Sequence, residues 1–350
     1  PTNYMTSGLS IEPEEAILES GESILDRAAN AFVFQRKLLY HYRSEHESLI
    51  SFSNHEFYNS ELNIIPSPIQ SDELGVKYKK SKGQYSGGKN NRSNNPNPIE
   101  AQEVVDEIVY QIKHFPNLSL GVALINRKQA DRVQELFDQL CLTDPEVSDY
   151  VHHWNQKNEY LFIKNLEGVQ GDERDIIIIG TVYSVEKGGT QFNKLGPILH
   201  DNGEKRINVL VTRAKRQVNL ISSLEPQHIT STTKGAQVLR RYLKYALTGK
   251  YDGSVFSQNN QFDSPWEKWF FDKLTDEGYK VFPQVGVSNF RIDLAVENPK
   301  NPCELIGVEL DGATYHSLPS ARERDIHRQS ILEDKGWKIV RVWSTDFFMD

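Results

Sequence analysis

Apolar residues follow two alternating spacings between residues 99 and 247. Four short apolar runs predict buried strands, at 119–125, 160–164, 175–182 and 218–221. Apolar residues three and four apart predict helices at 99–112, 130–140 and 237–247. Strands that alternate with helices predict a doubly wound α/β domain over 36–248, and the almost continuously apolar run at 175–182 predicts the central strand of a parallel sheet.

A second, shorter pattern of strands and helices occupies 263–350. The sequence SPWE at 264–267 is a capping box with proline in the first turn, and it predicts a helix that ends at Gly278. Strands are predicted at 280–285, 291–296 and 304–310, followed by a helix from 320 to 336 and a last strand at 338–343. These elements predict a smaller α/β domain after the first.

Polar stretches separate these patterns. Residues 249–262 are rich in Gly, Ser, Asn and Gln and predict a linker, whereas 75–98 predict a mobile loop with a ribbon at 76–78. Residues 1–35, with a short helix predicted around 23–31, are interpreted as the remnant of a preceding domain. Because the first residue is Pro1, we expect the chain to be a piece of a longer protein.

The composition is that of an ordinary globular protein, with 38% hydrophobic and 25% charged residues among 350. The net charge of −8 gives no overall attraction to nucleic acid, so any such site must be a local cluster of basic residues. No apolar run is long enough to span a bilayer, no signal peptide is visible, and no membrane partner is expected. Cys141 and Cys303 are far apart in sequence, which argues against a structural zinc site and favours a reducing, cytoplasmic location.

Three carboxylates interrupt the apolar strands of the second domain. Asp293 lies in the strand predicted at 291–296, and Glu309 and Asp311 lie in the next strand and at its end. Side chains alternate along a strand, so Glu309 and Asp311 share a face, and Asp293 can face the same point. Carboxylates in an apolar setting repel one another unless a cation joins them, and hard oxygen ligands select Mg²⁺ or Mn²⁺. Asp311 before Gly312 also fits an ordinary turn, and that alternative stays open.

Four segments of the first domain together resemble superfamily 1 helicases. They are YHYRSEH at 40–46, LSLGVALIN at 118–126, LEGVQGDERD at 166–175 and RINVLVTRAKR at 206–216. The resemblance covers about 20–248 and implies the second RecA-like domain of a two-domain motor, built on a parallel sheet. The chain has neither a GxxxxGK[ST] phosphate loop nor the acidic strand end that holds Mg²⁺ beside it. ATP is therefore expected as a cofactor only together with a missing N-terminal RecA-like domain of the same protein.

The helicase resemblance also implies roles for individual residues. Arg43 and Arg213 match arginine fingers, whose cations stabilise the charge that develops on a transferring phosphate. Tyr42 matches a residue near the nucleotide base. The remaining matches form a turn between the nucleotide and nucleic-acid sites, at Gln170, Gly171 and Glu173.

The second domain resembles PD-(D/E)XK nucleases, in particular the very-short-patch-repair-like endonucleases. The resemblance rests on RxD at 291–293, VELDG at 308–312, a histidine at 316, DxxR at 325–328 and RxW at 341–343. It implies a restriction-endonuclease-like α/β fold, with Mg²⁺ or Mn²⁺ held by Asp293 and Glu309. The lysine usual two positions after the second acid is replaced by Asp311. The very-short-patch-repair-like branch also lacks that lysine, and there a histidine helps to activate water.

In this branch, His316 is the implied proton relay, with a water held by Asp311 as the alternative. Arg328, or alternatively Arg324, is placed to meet phosphate charge. Glu267 matches an acid that some members carry on the first helix. Both Glu267 and Arg328 also have a structural explanation. Glu267 completes the capping box, and Arg328 lies three residues after Asp325 on a predicted helix, which fits a plain surface ion pair.

Together these features predict the C-terminal part of an ATP-dependent helicase or translocase that carries a metal-dependent DNA endonuclease. DNA processing, repair or anti-phage defence would be its context, and DNA its partner, with RNA as the alternative. Two other interpretations remain. In the first, the chain is a catalytically inactive module that binds nucleic acid or protein. In the second, it is an active nuclease on a motor without ATP turnover.

Overall fold

A computed structural model of the chain describes residues 28, 31, 32, 34, 36–83, 95–185, 189–250, 262–286, 290–311 and 319–344, with no description of the side chains of 319–325. The chain forms two compact units, Pro1–Leu39 and Tyr40–Asp350. Most of the helix predicted around 23–31 and most of the linker predicted at 249–262 lie outside the described residues. None of the helices in the described part has the length and apolar character needed to cross a membrane.

The second unit contains strands and helices in alternation. Its described strands are β1 (Tyr40–His41), β2 (Asn63–Ile64), β3 (Gly75–Lys80), β4 (Leu120–Leu124), β5 (Phe162–Asn165), β6 (Arg174–Gly180), β7 (Ala214–Ser222), β8 (Val281–Val285), β9 (Ile292–Asn298), β10 (Asn301–Asp311) and β11 (Lys338–Trp343). Its described α-helices are α1 (Ser48–Phe57), α2 (Pro98–His114), α3 (Arg127–Cys141), α4 (Pro145–Gln156), α5 (Gly203–Val211), α6 (Lys234–Thr248), α7 (Pro265–Asp276) and α8 (Pro319–Asp334).

The larger sheet has five parallel strands in the order β3-β7-β6-β4-β5. β6 is the middle strand, and it is apolar at consecutive positions because both of its faces are covered. Ile177 and Ile179 pack in one apolar cluster with α1, α5 and α6. Ile176 and Ile178 pack in a second cluster with α2, α3 and α4. The prediction of a central buried strand is therefore confirmed.

The smaller sheet has four strands in the order β11-β10-β9-β8. β10 is parallel to β11 and antiparallel to β9, and β8 is antiparallel to β9. Leu294, Val296 and Val308 pack against α7 on one face. Leu310 packs in the same cluster as Val308, so the side chain of Glu309 between them points to the opposite face. The predicted class, a parallel-sheet α/β domain followed by a smaller α/β domain, is confirmed.

Local differences from the predictions have physical reasons. Residues 75–80 were predicted as part of a mobile loop with a ribbon, but they form β3, an edge strand paired with β7. Lysines at 77, 79 and 80 break the apolar pattern by which strands are predicted. An edge strand tolerates them, because it needs an apolar side chain mainly where it meets the core. Helices α4 and α5 were not predicted, although α4 begins with the N-cap Asp144 followed by Pro145.

A short segment of the larger domain, residues 64–70, packs against the smaller sheet, and we refer to it as the docking segment. Ile65 is buried in the apolar cluster that also contains Ile292, Leu332 and Trp337. Backbone hydrogen bonds extend the contact, since Leu305 N–H donates to the Pro68 carbonyl at 2.7 Å and Gln70 N–H donates to the Cys303 carbonyl at 2.8 Å. The indole Nε1 of Trp337 donates to the Pro66 carbonyl at 2.9 Å. The core of the smaller domain therefore includes a residue from outside 263–350.

We predict that Ile65→Ala loosens the smaller sheet selectively. Truncating a buried isoleucine removes transfer free energy and leaves a cavity, at a cost of about 2–5 kcal/mol. Backbone amides of β9 and β10 should exchange hydrogen faster, while those of β6 should keep their protection. Ile69→Ala is the matched control, because Ile69 belongs to the same segment but is 44% exposed. Unchanged protection of β9 and β10 in the Ile65 variant would contradict the role given to the docking segment.

Glu100 is a buried carboxyl in the first turn of α2. Its Oε1 accepts a hydrogen bond from Val182 N–H at 2.5 Å, just beyond the end of β6. Burial raises the pKa of Glu100 from 4.5 to about 8, although the bond from Val182 N–H acts in the opposite direction. Glu100 is therefore mostly protonated at neutral pH in the folded chain.

We predict that Glu100→Gln removes a pH dependence of stability. Because the folded pKa is raised, the stability that Glu100 contributes is complete below pH 4.5 and is lost as pH rises through 8. The wild type should lose up to about 1.4 kcal/mol of unfolding free energy per pH unit in that window. The Gln variant should gain in melting temperature relative to wild type from pH 5 to pH 8. Asp106→Asn, an exposed acid on the same helix, is the control, and an equal pH profile for wild type and Glu100→Gln would refute the protonated state.

Candidate functional site

The first candidate site lies where β6 and β7 begin, and it contains the residues expected to face nucleotide. Arg43 Nε lies 3.0 Å from Glu173 Oε2, and Lys215 Nζ lies 3.6 Å from Glu173 Oε1. One carboxylate thus joins two cations that come from separate parts of the chain. Lys215 was not among the predicted residues, although it lies within the segment at 206–216 that carries the helicase resemblance.

Arg213 lies beside the same cluster and is half-buried. Its Nε donates to the Val209 carbonyl at 2.7 Å, and its Nη2 donates to Thr212 Oγ1 at 3.2 Å. Burial lowers the pKa of Arg213, and the nearby charge of Arg43 lowers it further. The two predicted arginine fingers are therefore close enough to repel each other, with Glu173 as the acid beside them. An anion between them would relieve that repulsion.

The other predicted nucleotide residues lie around this cluster. Gln170 and Gly171 are exposed, and Gly171 has a φ of +90°, which glycine adopts without strain. The side chain of Tyr42 is also exposed, and its carbonyl accepts a hydrogen bond from Lys335 Nζ at 2.6 Å. This bond connects the chain next to Arg43 with the end of α8 in the smaller domain.

The second candidate site is a group of buried and half-buried acids on the smaller sheet and on α7. β9 and β10 pair with Val308 opposite Leu294, so the next residues outward are Glu309 and Asp293. Asp293 Oδ2 accepts a hydrogen bond from Leu310 N–H at 2.8 Å. Burial raises the pKa of Asp293 to about 7, and the charges of Glu309 and Glu267 act in the same direction. A carboxyl in this position is costly to ionise without a cation.

Glu309 is 7% exposed and is held by an arginine. Arg328, from α8, places Nη1 2.9 Å from Glu309 Oε2 and Nη2 2.9 Å from Oε1. Arg328 Nη2 also donates to the Arg291 carbonyl. The predicted acid and the predicted phosphate-binding residue are thus brought together, 19 positions apart in sequence.

Glu267 is a third acid near Asp293, and it also has the structural role expected of a capping box. Its Oε1 accepts from the Ser264 hydroxyl at 3.0 Å, and its Oε2 accepts from Asp263 N–H at 2.9 Å. Gln284 Nε2 donates to the same Oε2 at 2.5 Å, from a residue with a φ of +53°. Gln284 was not predicted as a site residue, because nothing in a short strand pattern marks a residue with strained backbone.

Asp311 has a different neighbour. Its Oδ2 lies 3.6 Å from Arg341 Nη1 on β11, and the charges that act on Asp293 come from Glu309, Glu267 and Arg328. Glu267 is thus a further acid whose charge acts on Asp293 beside that of Glu309. His316, the predicted proton relay, lies outside the described residues.

The acids fit a hard divalent cation by donor chemistry. Asp293 and Glu309 offer carboxylate oxygens on adjacent strands, and the burial that raises the pKa of Asp293 makes its charged form costly unless a cation binds. Within the described part of the chain, however, no group of three or more His, Cys, Asp or Glu side chains is arranged to hold a metal ion. Water or substrate oxygens would therefore complete the ligand set, as is usual for Mg²⁺.

Comparison with known protein families supports the division into two kinds of domain. A family model for an AAA domain, AAA_12, matches residues 20–225. This chain belongs to the AAA domain family. A second family model, REase_MTES_1575, matches residues 266–350, which include β8 to β11 and all the acids of the second site. The AAA domain match covers the whole of the first site.

The relatives of this AAA domain protein include helicases. It is 31% identical over 98% of its length to the uncharacterized ATP-dependent helicase MG140 of Mycoplasma genitalium, and 29% identical over 87% to the homologous protein of Mycoplasma pneumoniae. The chain spans 32% and 28% of these two proteins. It is also 30% identical, over 35% of its length, to 15% of the DNA polymerase alpha-associated DNA helicase A of Saccharomyces cerevisiae.

Proposed function

We propose that this chain is the C-terminal part of an ATP-dependent DNA helicase or translocase and that its smaller domain is a metal-dependent DNA endonuclease. The observation that carries the nuclease proposal is a pair of acids on adjacent strands, the half-buried Asp293 and the buried Glu309, in a domain matched by a REase family model. The motor proposal is supported by the AAA domain family and by relatives that are ATP-dependent helicases.

In the motor, Arg43 and Arg213 would stabilise negative charge on the phosphates of ATP. Their mutual repulsion, with Glu173 beside them, suits a position that receives an anion. Tyr42 would lie against the nucleotide base, and Gln170 and Gly171 would form the turn that faces nucleic acid. The phosphate loop would come from the N-terminal RecA-like domain of the same protein, so ATP turnover requires both domains.

In the nuclease, Asp293 and Glu309 would hold Mg²⁺ or Mn²⁺. A bound ion of this kind polarises a phosphodiester and lowers the pKa of a water molecule. Glu267 would fix Gln284 beside the acids, and Arg328 would meet a phosphate of the substrate. His316 would relay the proton, with a water at Asp311 as the alternative, as in the very-short-patch-repair-like endonucleases. DNA is the proposed substrate, RNA is the alternative, and DNA repair or antiviral defence is the proposed context.

A second candidate function is a non-catalytic module that binds nucleic acid or a protein. The observation that favours it is the Glu309–Arg328 pair, in which both carboxylate oxygens are bound to a guanidinium. Asp311 in the position of the usual lysine favours it as well. In a mixed form of this alternative, the nuclease is active and the motor does not turn over ATP.

We predict that the whole chain cleaves single- or double-stranded DNA in Mg²⁺ or Mn²⁺ and not in EDTA. Asp293→Ala and Glu309→Ala should each reduce the cleavage rate by about a hundredfold or more, because each removes an anionic ligand from a preorganised charge site. Cleavage is measured on linear and supercoiled DNA with each metal.

Glu297→Ala is the matched control. Glu297 is an acid on β9, the strand of Asp293, but it pairs with Lys280 outside the acid group. Its cleavage rate should equal that of the wild type. Undiminished cleavage by both acid variants would remove these carboxylates from the reaction. A wild-type chain that cleaves no DNA substrate would favour the non-catalytic module.

A further inference from the structure

Glu309 and Arg328 form a pair that is mostly shielded from water. The side chain of Glu309 is 9% exposed and that of Arg328 is 18% exposed. Two parallel bonds of 2.9 Å join the guanidinium to both carboxylate oxygens, and a third bond runs from the guanidinium to the Arg291 carbonyl. Removing one partner of a buried ion pair is strongly destabilising, so the Arg328 guanidinium stabilises the fold around Glu309.

The same two oxygens are those that Glu309 would offer to a divalent cation. A guanidinium that uses both oxygens leaves them poorly available, and a divalent cation beside it would repel it. Binding of a cation by Glu309 therefore competes with the Glu309–Arg328 pair. Arg328 is a cation tethered to the protein at the position where a metal ion would be bound.

The backbone that follows Arg328 is held in place by contacts at and beyond the end of α8. Beyond the end of α8, Lys335 Nζ donates to the Tyr42 carbonyl and Trp337 Nε1 donates to the Pro66 carbonyl. Leu332, one turn after Arg328, is buried in the smaller core. The helix is thus held against the docking segment and the sheet. Release of Glu309 must come from rotation of the Arg328 side chain, which has a long flexible stem.

We propose that Arg328 is an internal latch that occupies Glu309 in the metal-free protein and must swing away before a divalent cation binds. This inference rests on the proposed nuclease function. It gives Arg328 a second role besides phosphate contact, because the displaced guanidinium remains near the site and available to an anion. The latch weakens metal affinity and at the same time stabilises the metal-free fold.

Opposite effects of one substitution test this latch. In the whole chain, Arg328→Gln should bind Mn²⁺ about ten- to a hundredfold more tightly than wild type, the scale of a hydrogen bond to a charged group. In EDTA the same variant should melt at a lower temperature than wild type, and Mn²⁺ should raise its melting temperature more. Mn²⁺ affinity is measured by calorimetry and by the electron paramagnetic resonance signal of free Mn²⁺.

Controls separate the latch from general electrostatics. Arg291→Gln removes the same charge from a neighbouring surface position that pairs with Asp263, and it should leave Mn²⁺ affinity near the wild-type value. Glu309→Gln added to Arg328→Gln should abolish the tighter binding and thereby assign it to this carboxylate. Arg328→Lys keeps a positive charge but loses the two parallel N–H groups of the guanidinium, so it should bind Mn²⁺ with intermediate affinity. It replaces the Gln variant if that variant does not fold.

Each remaining outcome decides the matter. Wild-type binding that depends on Asp293 and Glu309, with no gain in Arg328→Gln or Arg328→Lys, would overturn the latch and leave the proposed metal site standing. A gain of equal size in Arg291→Gln would overturn the latch in favour of bulk charge. No Mn²⁺ binding by wild type or by any Arg328 variant would overturn both the latch and the proposed metal-dependent nuclease.

Discussion

Buried negative charge is the constraint on which the arrangement of the smaller domain depends. Glu309 and Glu267 are 7% and 6% exposed, and their charges add to the burial that raises the pKa of Asp293. Hydrogen-bond donors compensate each acid differently. Glu309 accepts from the Arg328 guanidinium, and Asp293 accepts from one backbone N–H. Glu267 accepts from a side-chain hydroxyl, a side-chain amide and a backbone N–H. Asp293 is the least compensated of the three, and this makes the group a candidate for a cation and not merely an ion-pair network.

The docking segment joins this acid group to the larger domain. Ile65 completes the smaller core, and Pro66 and Pro68 accept hydrogen bonds from Trp337 and Leu305. Lys335 reaches Tyr42, the residue before Arg43, whose guanidinium pairs with Glu173. The helix that presents Arg328 to Glu309 is therefore anchored next to residues proposed to bind nucleotide. Contact of this kind gives a physical route by which the two sites can influence each other, and it needs no flexible linker.

Much of the larger fold was predictable because β6 is buried on both faces and the flanking helices carry clear apolar stripes. The edge strand β3 was harder to predict because its lysines break the pattern. The acids Asp293 and Glu309 could be singled out from the sequence as candidates because a charged residue inside an apolar strand is unusual. The docking of Ile65 could not be predicted, since Ile65 lies in a proline-containing stretch without periodicity. The approach of Arg328 to Glu309 could not be predicted either, because the two residues are 19 positions apart in sequence.

The most direct test of the acid group as a metal site is a crystal structure of the whole chain grown with Mn²⁺ and measured for its anomalous signal. Our account predicts an anomalous peak within coordination distance of carboxylate oxygens from both Asp293 and Glu309, with the Arg328 guanidinium no longer paired with Glu309. Anomalous density absent from these two carboxylates at saturating Mn²⁺, with Arg328 still bound to both oxygens of Glu309, would contradict it.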